Sequence, residues 1–129
     1  MGEALVVAGG IYTLALIVFH VFFWRIFKWP ATLASLSFVN RATMQVLNIS
    51  LTFVFCIFAY ISFLHTDELL NTQLGRAMLV LISMLWLFRA ALQAIFYGLR
   101  HTASTALFAY FLLGAMLYGI PVILQSVIL

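Results

Sequence analysis

Hydrophobic residues fall into four long runs along the chain, and short polar stretches separate them. The runs predict helices over residues 4–27, 37–64, 73–99 and 103–124. Each run supplies the roughly 20 residues that a helix needs to cross the hydrocarbon core of a bilayer. The pattern therefore predicts an all-α membrane protein. Its four transmembrane helices are expected to form one up-down-up-down bundle, which makes residues 1–129 a single domain.

Interfacial and helix-ending residues separate the runs. The first run ends with two tryptophans and two cations, which suit the headgroup region, and then with a proline predicted to stop the helix. These residues are Trp24, Arg25, Lys28, Trp29 and Pro30. The hydroxyl residues that precede later helices are candidate N-caps, namely Ser35 or Ser37, Thr66 and Thr102.

Small and semi-polar residues recur at helical spacing on three of the predicted helices. Ala90, Ala94 and Gly98 form one small-residue stripe, and Ala115 with Gly119 forms a second pair. Such residues allow close approach of helices in membranes. On the second helix a polar or sulfur-bearing side chain recurs every four residues, which predicts a continuous semi-polar face. Its members are Asn48, Thr52, Cys56 and Tyr60.

The composition excludes a water-soluble globular domain. Hydrophobic residues make up 67% of the 129 positions and charged residues 7%, and the mean hydropathy is +1.22. A soluble domain carries about a quarter charged residues. Five of the six Lys and Arg residues are scattered near helix ends, so the expected partner is the lipid bilayer and not nucleic acid.

The distribution of cations predicts an orientation. The first connection and its flanks hold Arg25, Lys28 and Arg41, and the third connection holds Arg100, whereas the second holds one cation and two acids, Arg76, Asp67 and Glu68. The segment before the first helix has no Lys or Arg. By the positive-inside rule, these two connections face the cytoplasm and both termini lie outside. The predicted location is the cytoplasmic (inner) membrane, in a multi-pass arrangement.

One charged residue lies near the middle of a predicted span. Arg89 is near the middle of the third apolar run, and a spacing of four places Gln93 and Tyr97 on its face of the helix. A guanidinium at that depth costs roughly 3 kcal/mol on insertion scales, so it should face protein or water. No acidic residue lies deep inside a span to pair with it. A ligand, a partner subunit or backbone carbonyls must then complete it.

Polar groups on three helices are predicted at one depth. Counted from the cations Arg25, Arg41 and Arg100 at the predicted cytoplasmic ends, His20, Asn48 and Gln93 lie five to seven residues inside their helices, which is roughly 7–11 Å below the interface. With Arg89 one turn deeper and two aromatic residues at the mouth, they predict a ligand-binding site in the inner leaflet. Its residues are Arg89, Gln93, His20, Asn48, Trp24 and Tyr97. The alternative interpretation is hydrogen bonding between helices.

Two classes of function remain open. The sequence has no nucleophile with a nearby His and acid, no paired carboxylates and no phosphate loop. The first hypothesis is therefore a non-enzymatic accessory or ligand- or lipid-binding subunit, working with a membrane partner or a second copy of itself. The second is a small redox module or oxidoreductase that binds haem b or a quinone. Its haem ligands would be His20 and His101. No other metal site and no other cofactor are expected.

Overall fold

The computed structural model describes residues 1–29 and 31–128, and this part of the chain is helical without a β-strand. Six α-helices follow one another, with a 3-10 turn at Leu33–Ser35 and a π-helical turn at Gln93–Tyr97. The helices are α1 Gly2–Val21, α2 Phe23–Ile26, α3 Phe38–Leu64, α4 Thr66–Asn71, α5 Gln73–Leu92 and α6 Thr102–Ile128. Pro30, predicted to stop the first helix, lies outside the described residues.

Four segments are long and apolar enough to cross a membrane. They are Gly2–Val21, Phe38–Leu64, Gln73–Tyr97 and Thr102–Val127. Large apolar side chains also cover their outward faces, and Phe53, Ile95 and Phe96 are among the most exposed. Soluble proteins rarely expose continuous apolar surface of this kind, whereas lipid-facing helices require it. These features suggest a multi-pass membrane protein.

The first helix is shorter than its hydrophobic run predicts. The run indicates a helix to residue 27, but α1 ends at Val21 and α2 restarts at Phe23. The amide of Phe22 lies 3.2 Å from the carbonyl oxygens of both Val18 and Phe19, so the last turn of α1 tightens. Lys28 then takes a left-handed conformation with φ of 56°, which ends the helical path beyond α2.

The structure distinguishes among the candidate caps. Ser37 caps α3, because its Oγ accepts from the amide of Asn40 at 3.2 Å. The prediction for Thr66 is wrong: its hydroxyl donates backwards to the carbonyl of Ser62. Thr72 instead caps α5, where its Oγ accepts from the amide of Gly75 at 2.9 Å.

The described chain divides into two compact units. The larger unit contains Met1–Gly9 and Ile61–Leu129, and the smaller unit contains Gly10–Tyr60.

In the larger unit, α5 packs against α6. The buried residues of α5 recur at spacings of three and four, and they are Gly75, Leu79, Ile82, Trp86 and Ala90. The predicted pair Ala115 and Gly119 lies at this contact. Ser83 donates to the carbonyl of Ala115 at 2.7 Å, and its Oγ would lie 2.8 Å from a Cβ placed on Gly119. Small residues on α6 thus admit a serine of α5.

A tyrosine joins three segments of the larger unit. Tyr118 on α6 is fully buried, and its hydroxyl lies 2.8 Å from the Oγ of Ser62 near the end of α3. Its ring covers Gly9 of α1, where a Cβ would come within 2.7 Å of the ring. A larger residue at position 9 would therefore displace the tyrosine that links α3 to α6.

The smaller unit has its own apolar interior. The buried residues include Leu16 of α1, Leu33 of the 3-10 turn, and Phe55 and Ala59 of α3. The rings of His20 and Phe55 meet at 5.1 Å, and this contact holds α1 against α3.

Candidate functional site

The guanidinium of Arg89 lies over an aromatic ring of the neighbouring helix. Its Cζ is 4.5 Å from the centroid of Phe111, which is buried on α6 and also stacks against Trp86 at 5.9 Å. A cation over a ring face is attracted by the ring quadrupole. Among the described residues, this ring is the recorded partner of Arg89, and the ion-pair contacts involve only His65 and Glu68. Arg89 therefore points at α6.

Arg89 and Phe111 lie at the same level of the α5–α6 pair. Arg89 precedes the end of its span at Tyr97 by eight residues, and Phe111 follows the start of its span at Thr102 by nine. Both are thus roughly 12–14 Å from the same end of the α5–α6 pair. The guanidinium is consequently held at its own level and does not extend along the helix towards that end.

Gln93 lies one turn beyond Arg89 and is 1% exposed. Its Nε2 donates to the Oγ of Ser104 at 2.9 Å, and that hydroxyl donates to the carbonyl of Gly98 at 2.5 Å. The Oε1 of Gln93 has no hydrogen-bond partner within the described part of the chain. A buried acceptor of this kind favours a water molecule or a ligand that carries a donor.

Tyr97 ends the helical segment that carries Arg89 and Gln93. The regular α-helix gives way after Leu92 to the π turn of Gln93–Tyr97. Tyr97 is 66% exposed and thus lies on the outer surface, next to Gly98, whose φ of 73° ends the turn.

His20 lies in an aromatic cluster of the smaller unit. Its ring stacks on Phe23 at 4.5 Å and meets Phe19 and Phe55 edge to face. Its Nδ1 is 2.8 Å from the carbonyl of Leu16. Because a carbonyl oxygen can only accept, Nδ1 carries the proton in this contact.

Trp24 continues the same cluster towards the end of α2. It is half-buried and meets Trp29 edge to face at 5.2 Å. The second proposed haem ligand, His101, is exposed. Within residues 1–29 and 31–128, no group of three His, Cys, Asp or Glu side chains gathers as a metal site would require.

Asn48 is the buried polar residue of α3. It is 6% exposed, and its Nδ2 lacks a hydrogen-bond partner among the described residues. The semi-polar face predicted from Asn48 to Tyr60 is not buried along its length, because Cys56 and Tyr60 are exposed. A spacing of four advances 400°, so the face drifts by about 40° at each step. The buried face instead continues through Phe55 and Ala59.

The predicted small-residue stripe on α5 is also incomplete. Ala90 is buried and Ala94 half-buried, but a Cβ on Gly98 would meet nothing within 4 Å. Gly98 serves the backbone turn and not helix packing.

The six predicted site residues are divided between the two units. Arg89, Gln93 and Tyr97 belong to the larger unit, and His20, Trp24 and Asn48 to the smaller one. Their convergence at one site stays a prediction.

Sequence analysis missed two residues of the larger unit that contact the predicted set, Phe111 and Ser104. Spacings of seven, four and three link Ser104, Phe111, Ala115 and Tyr118 on one helical face, and this pattern was the available signal.

Comparison of the chain with protein-family models, curated proteins and solved structures finds no match. The candidate site consequently rests on its own chemistry. It consists of the Arg89 cation over the buried ring of Phe111 and of the Gln93 Oε1 acceptor, which has no hydrogen-bond partner among the described residues.

Proposed function

We propose that this chain is a four-span protein of the cytoplasmic membrane that binds an anionic lipid or other hydrophobic anion at Arg89. The observation that carries the proposal is the guanidinium over Phe111, deep within a helix pair long enough to span. A cation–π contact contributes about 0.5–2 kcal/mol, whereas a central Arg costs roughly 3 kcal/mol or more. The ring alone leaves a deficit that a bound anion offsets.

The chain's own carboxylates do not lie where they would fill this role. Glu3 is in the first turn of α1, and Asp67 and Glu68 lie in α4, between two spans. Glu68 already contacts His65 at 3.0 Å. The anion is therefore expected from outside the chain, as a lipid, a small amphiphile or a partner subunit.

The proposed arrangement places the site in one leaflet. With four spans in an up-down-up-down bundle and both termini outside, Tyr97 and Thr102 lie at the cytoplasmic end of α5 and α6. Arg89 then lies in the inner leaflet or near the midplane. Gln93, His20, Asn48, Trp24 and Tyr97 are the proposed surroundings of the ligand, and the protein acts as an accessory or binding subunit and not as an enzyme.

The test compares what copurifies with the protein. Wild type, Arg89→Leu, Arg89→Lys and the control Arg76→Leu are purified in a neutral detergent, and bound lipids and small molecules are identified by mass spectrometry. Arg76 is a suitable control because it is a cation near the opposite end of α5. We expect wild type and Arg76→Leu to retain the same anionic molecules, Arg89→Leu to fold and lose them, and Arg89→Lys to retain a part, because an ammonium lacks the planar fork.

The opposite result would be informative about Arg89. If Arg89→Leu retains the same molecules and unfolds at a higher temperature than wild type, then Arg89 is only a structural residue, since replacement of a buried charge by an apolar side chain is often stabilising.

The alternative function, haem or quinone binding, is favoured by the environment of His20. Nδ1–H of His20 is directed at the Leu16 carbonyl, which leaves Nε2 as the nitrogen that could bind a metal. Histidine ligands usually have this tautomer and a hydrogen bond of this kind. A visible spectrum of the same preparation is the test. A Soret band that disappears with His20→Ala would replace the first proposal, and a colourless protein that retains anionic lipid would support it.

A further inference from the structure

The smaller unit carries charge of one sign, and all of it lies near one connection. Between Gly10 and Tyr60 the sequence contains Arg25, Lys28 and Arg41 and no Asp or Glu. These cations follow the end of the first span at Val21 and reach only the first turn of the next span, which begins at Phe38. If both helices cross the membrane, as proposed above, residues 22–41 lie at one surface of the bilayer.

The described residues of this connection, 22–29 and 31–41, are folded. Thr32 fastens its centre, because its amide donates to the carbonyl of Lys28 at 3.1 Å and its hydroxyl to that of Phe27 at 2.8 Å. Arg41 donates to the carbonyl of Leu36 at 3.4 Å and lies over the ring of Phe38. The cations are consequently presented from ordered backbone.

Aromatic residues in the same connection match the chemistry of a headgroup layer. Trp24 and Trp29 pack edge to face, and Trp29 also meets Phe23 at 5.7 Å. Tryptophan prefers the zone between acyl chains and headgroups, where an apolar ring and a polar N–H are both accommodated. Arg25 and Lys28 lie between these two tryptophans in the sequence, so in the spanning arrangement they would be at the level of lipid phosphates.

We propose that residues 22–41 form a binding surface for anionic phospholipid headgroups. The occupant is assigned by charge: three cations, without a carboxylate in the unit to compete, attract the acidic lipids of the adjacent leaflet. Each cation near such a surface strengthens binding by about fivefold. The proposal rests on the spanning arrangement of the proposed function but not on Arg89.

The α3–α5 connection differs in this respect. Asp67 and Glu68 lie in α4, where Glu68 pairs with His65. An acidic segment repels anionic headgroups, so selectivity for anionic lipid is expected at the connection of residues 22–41 and not at this one.

The experiment measures lipid selectivity in bilayers. The full chain is reconstituted in phosphatidylcholine with traces of spin-labelled phosphatidylglycerol or spin-labelled phosphatidylcholine, and electron paramagnetic resonance gives the relative association constant of the two labels. The test variant is Arg25→Gln/Lys28→Gln/Arg41→Gln. The matched control, Arg76→Gln/Arg100→Gln, removes two cations outside this connection.

We expect wild type and the control to prefer phosphatidylglycerol. In the triple variant, the association constant of phosphatidylglycerol relative to phosphatidylcholine should fall by up to about a hundredfold for the tightest lipids. In each single variant it should fall by about fivefold. In wild type, 1 M NaCl should reduce the preference, because it shortens the Debye length to about 3 Å. An unchanged preference in a folded triple variant would overturn the proposal. The proposal would also be overturned if wild type preferred phosphatidylglycerol only after an acidic protein was added.

A second measurement covers the case in which the triple variant does not fold. In Trp86→Phe, Trp24 and Trp29 are the two remaining tryptophans. Brominated phosphatidylglycerol should then quench their fluorescence more strongly than brominated phosphatidylcholine, and salt should remove the difference. Equal quenching by both lipids refutes the headgroup surface. Extraction of the wild-type protein from vesicles by alkaline carbonate would instead refute the spanning arrangement itself.

Discussion

At the scale of single residues, Gly75 decides whether α4 can pack against α5. A Cβ at this position would collide with the carbonyl oxygen of Glu68 and would lie 2.5 Å from the Cα of Leu69. These are backbone atoms, which cannot move aside as a side chain can. The same turn is closed by Thr72, whose hydroxyl accepts from the amide of Gly75 and donates to the carbonyl of Glu68 at 2.6 Å.

We therefore expect Gly75→Ala to destabilise the protein by about 1–3 kcal/mol, because α4 must shift to relieve the overlap. The control is Gly2→Ala, where the nearest atom is a Leu70 methyl at an ordinary 3.4 Å. Unfolding in sodium dodecyl sulfate, followed by circular dichroism, measures both. Equal stability of the two variants would show that α4 does not pack on α5 in this way.

At the scale of elements, the π turn at the end of α5 is held by a bond between helices. Ser104 of α6 accepts from Gln93 at the start of the turn and donates to Gly98 at its end. The serine thus satisfies a side-chain amide and a carbonyl that the π turn leaves without a regular helical partner.

Removal of that hydroxyl should loosen the turn. Ser104→Ala leaves buried polar atoms unpaired, and we expect a loss of about 1–3 kcal/mol together with faster amide hydrogen exchange over residues 93–101. Ser126→Ala is the control, since its hydroxyl makes only an exposed bond to Val122 within α6. Exchange that stays unchanged in Ser104→Ala would mean that the backbone of α5 sets the π turn by itself.

At the scale of the whole molecule, charge is distributed unequally among the connections. The cations Arg25, Lys28 and Arg41 flank the α1–α3 connection, and Arg100 follows α5, whereas both acids of α4 lie in the connection between α3 and α5. The positive-inside rule converts this asymmetry into an orientation.

Reporter fusions test that orientation. Fusions after Ala34 and after His101 should report the cytoplasm, and a fusion after Asn71 should report the outside. Arg25→Gln/Lys28→Gln should weaken the bias, because the first connection then retains only Arg41. The reverse pattern in the unmodified chain would show that six cations are too few to set the topology.

The candidate site was predictable only in part. Arg89 was found because a charge inside an apolar run is conspicuous, and Gln93 because it follows by one helical turn. The π turn at Gln93–Tyr97 was not predicted, because the bond from Gln93 to Ser104 that accompanies it joins residues of two helices. Phe111 was missed because phenylalanine is too common in apolar spans to stand out.

From the sequence alone we predicted four long apolar segments and their approximate bounds, because an apolar run long enough to span is a local property of composition. Tertiary structure decided which face of each helix is buried, where α1 breaks and where α5 widens into a π turn. These features depend on neighbours distant in the chain, such as Phe55 against His20 and Phe111 beneath Arg89. Hydrophobicity cannot encode them, because in an apolar span the residues that face lipid and those that face protein have nearly the same composition.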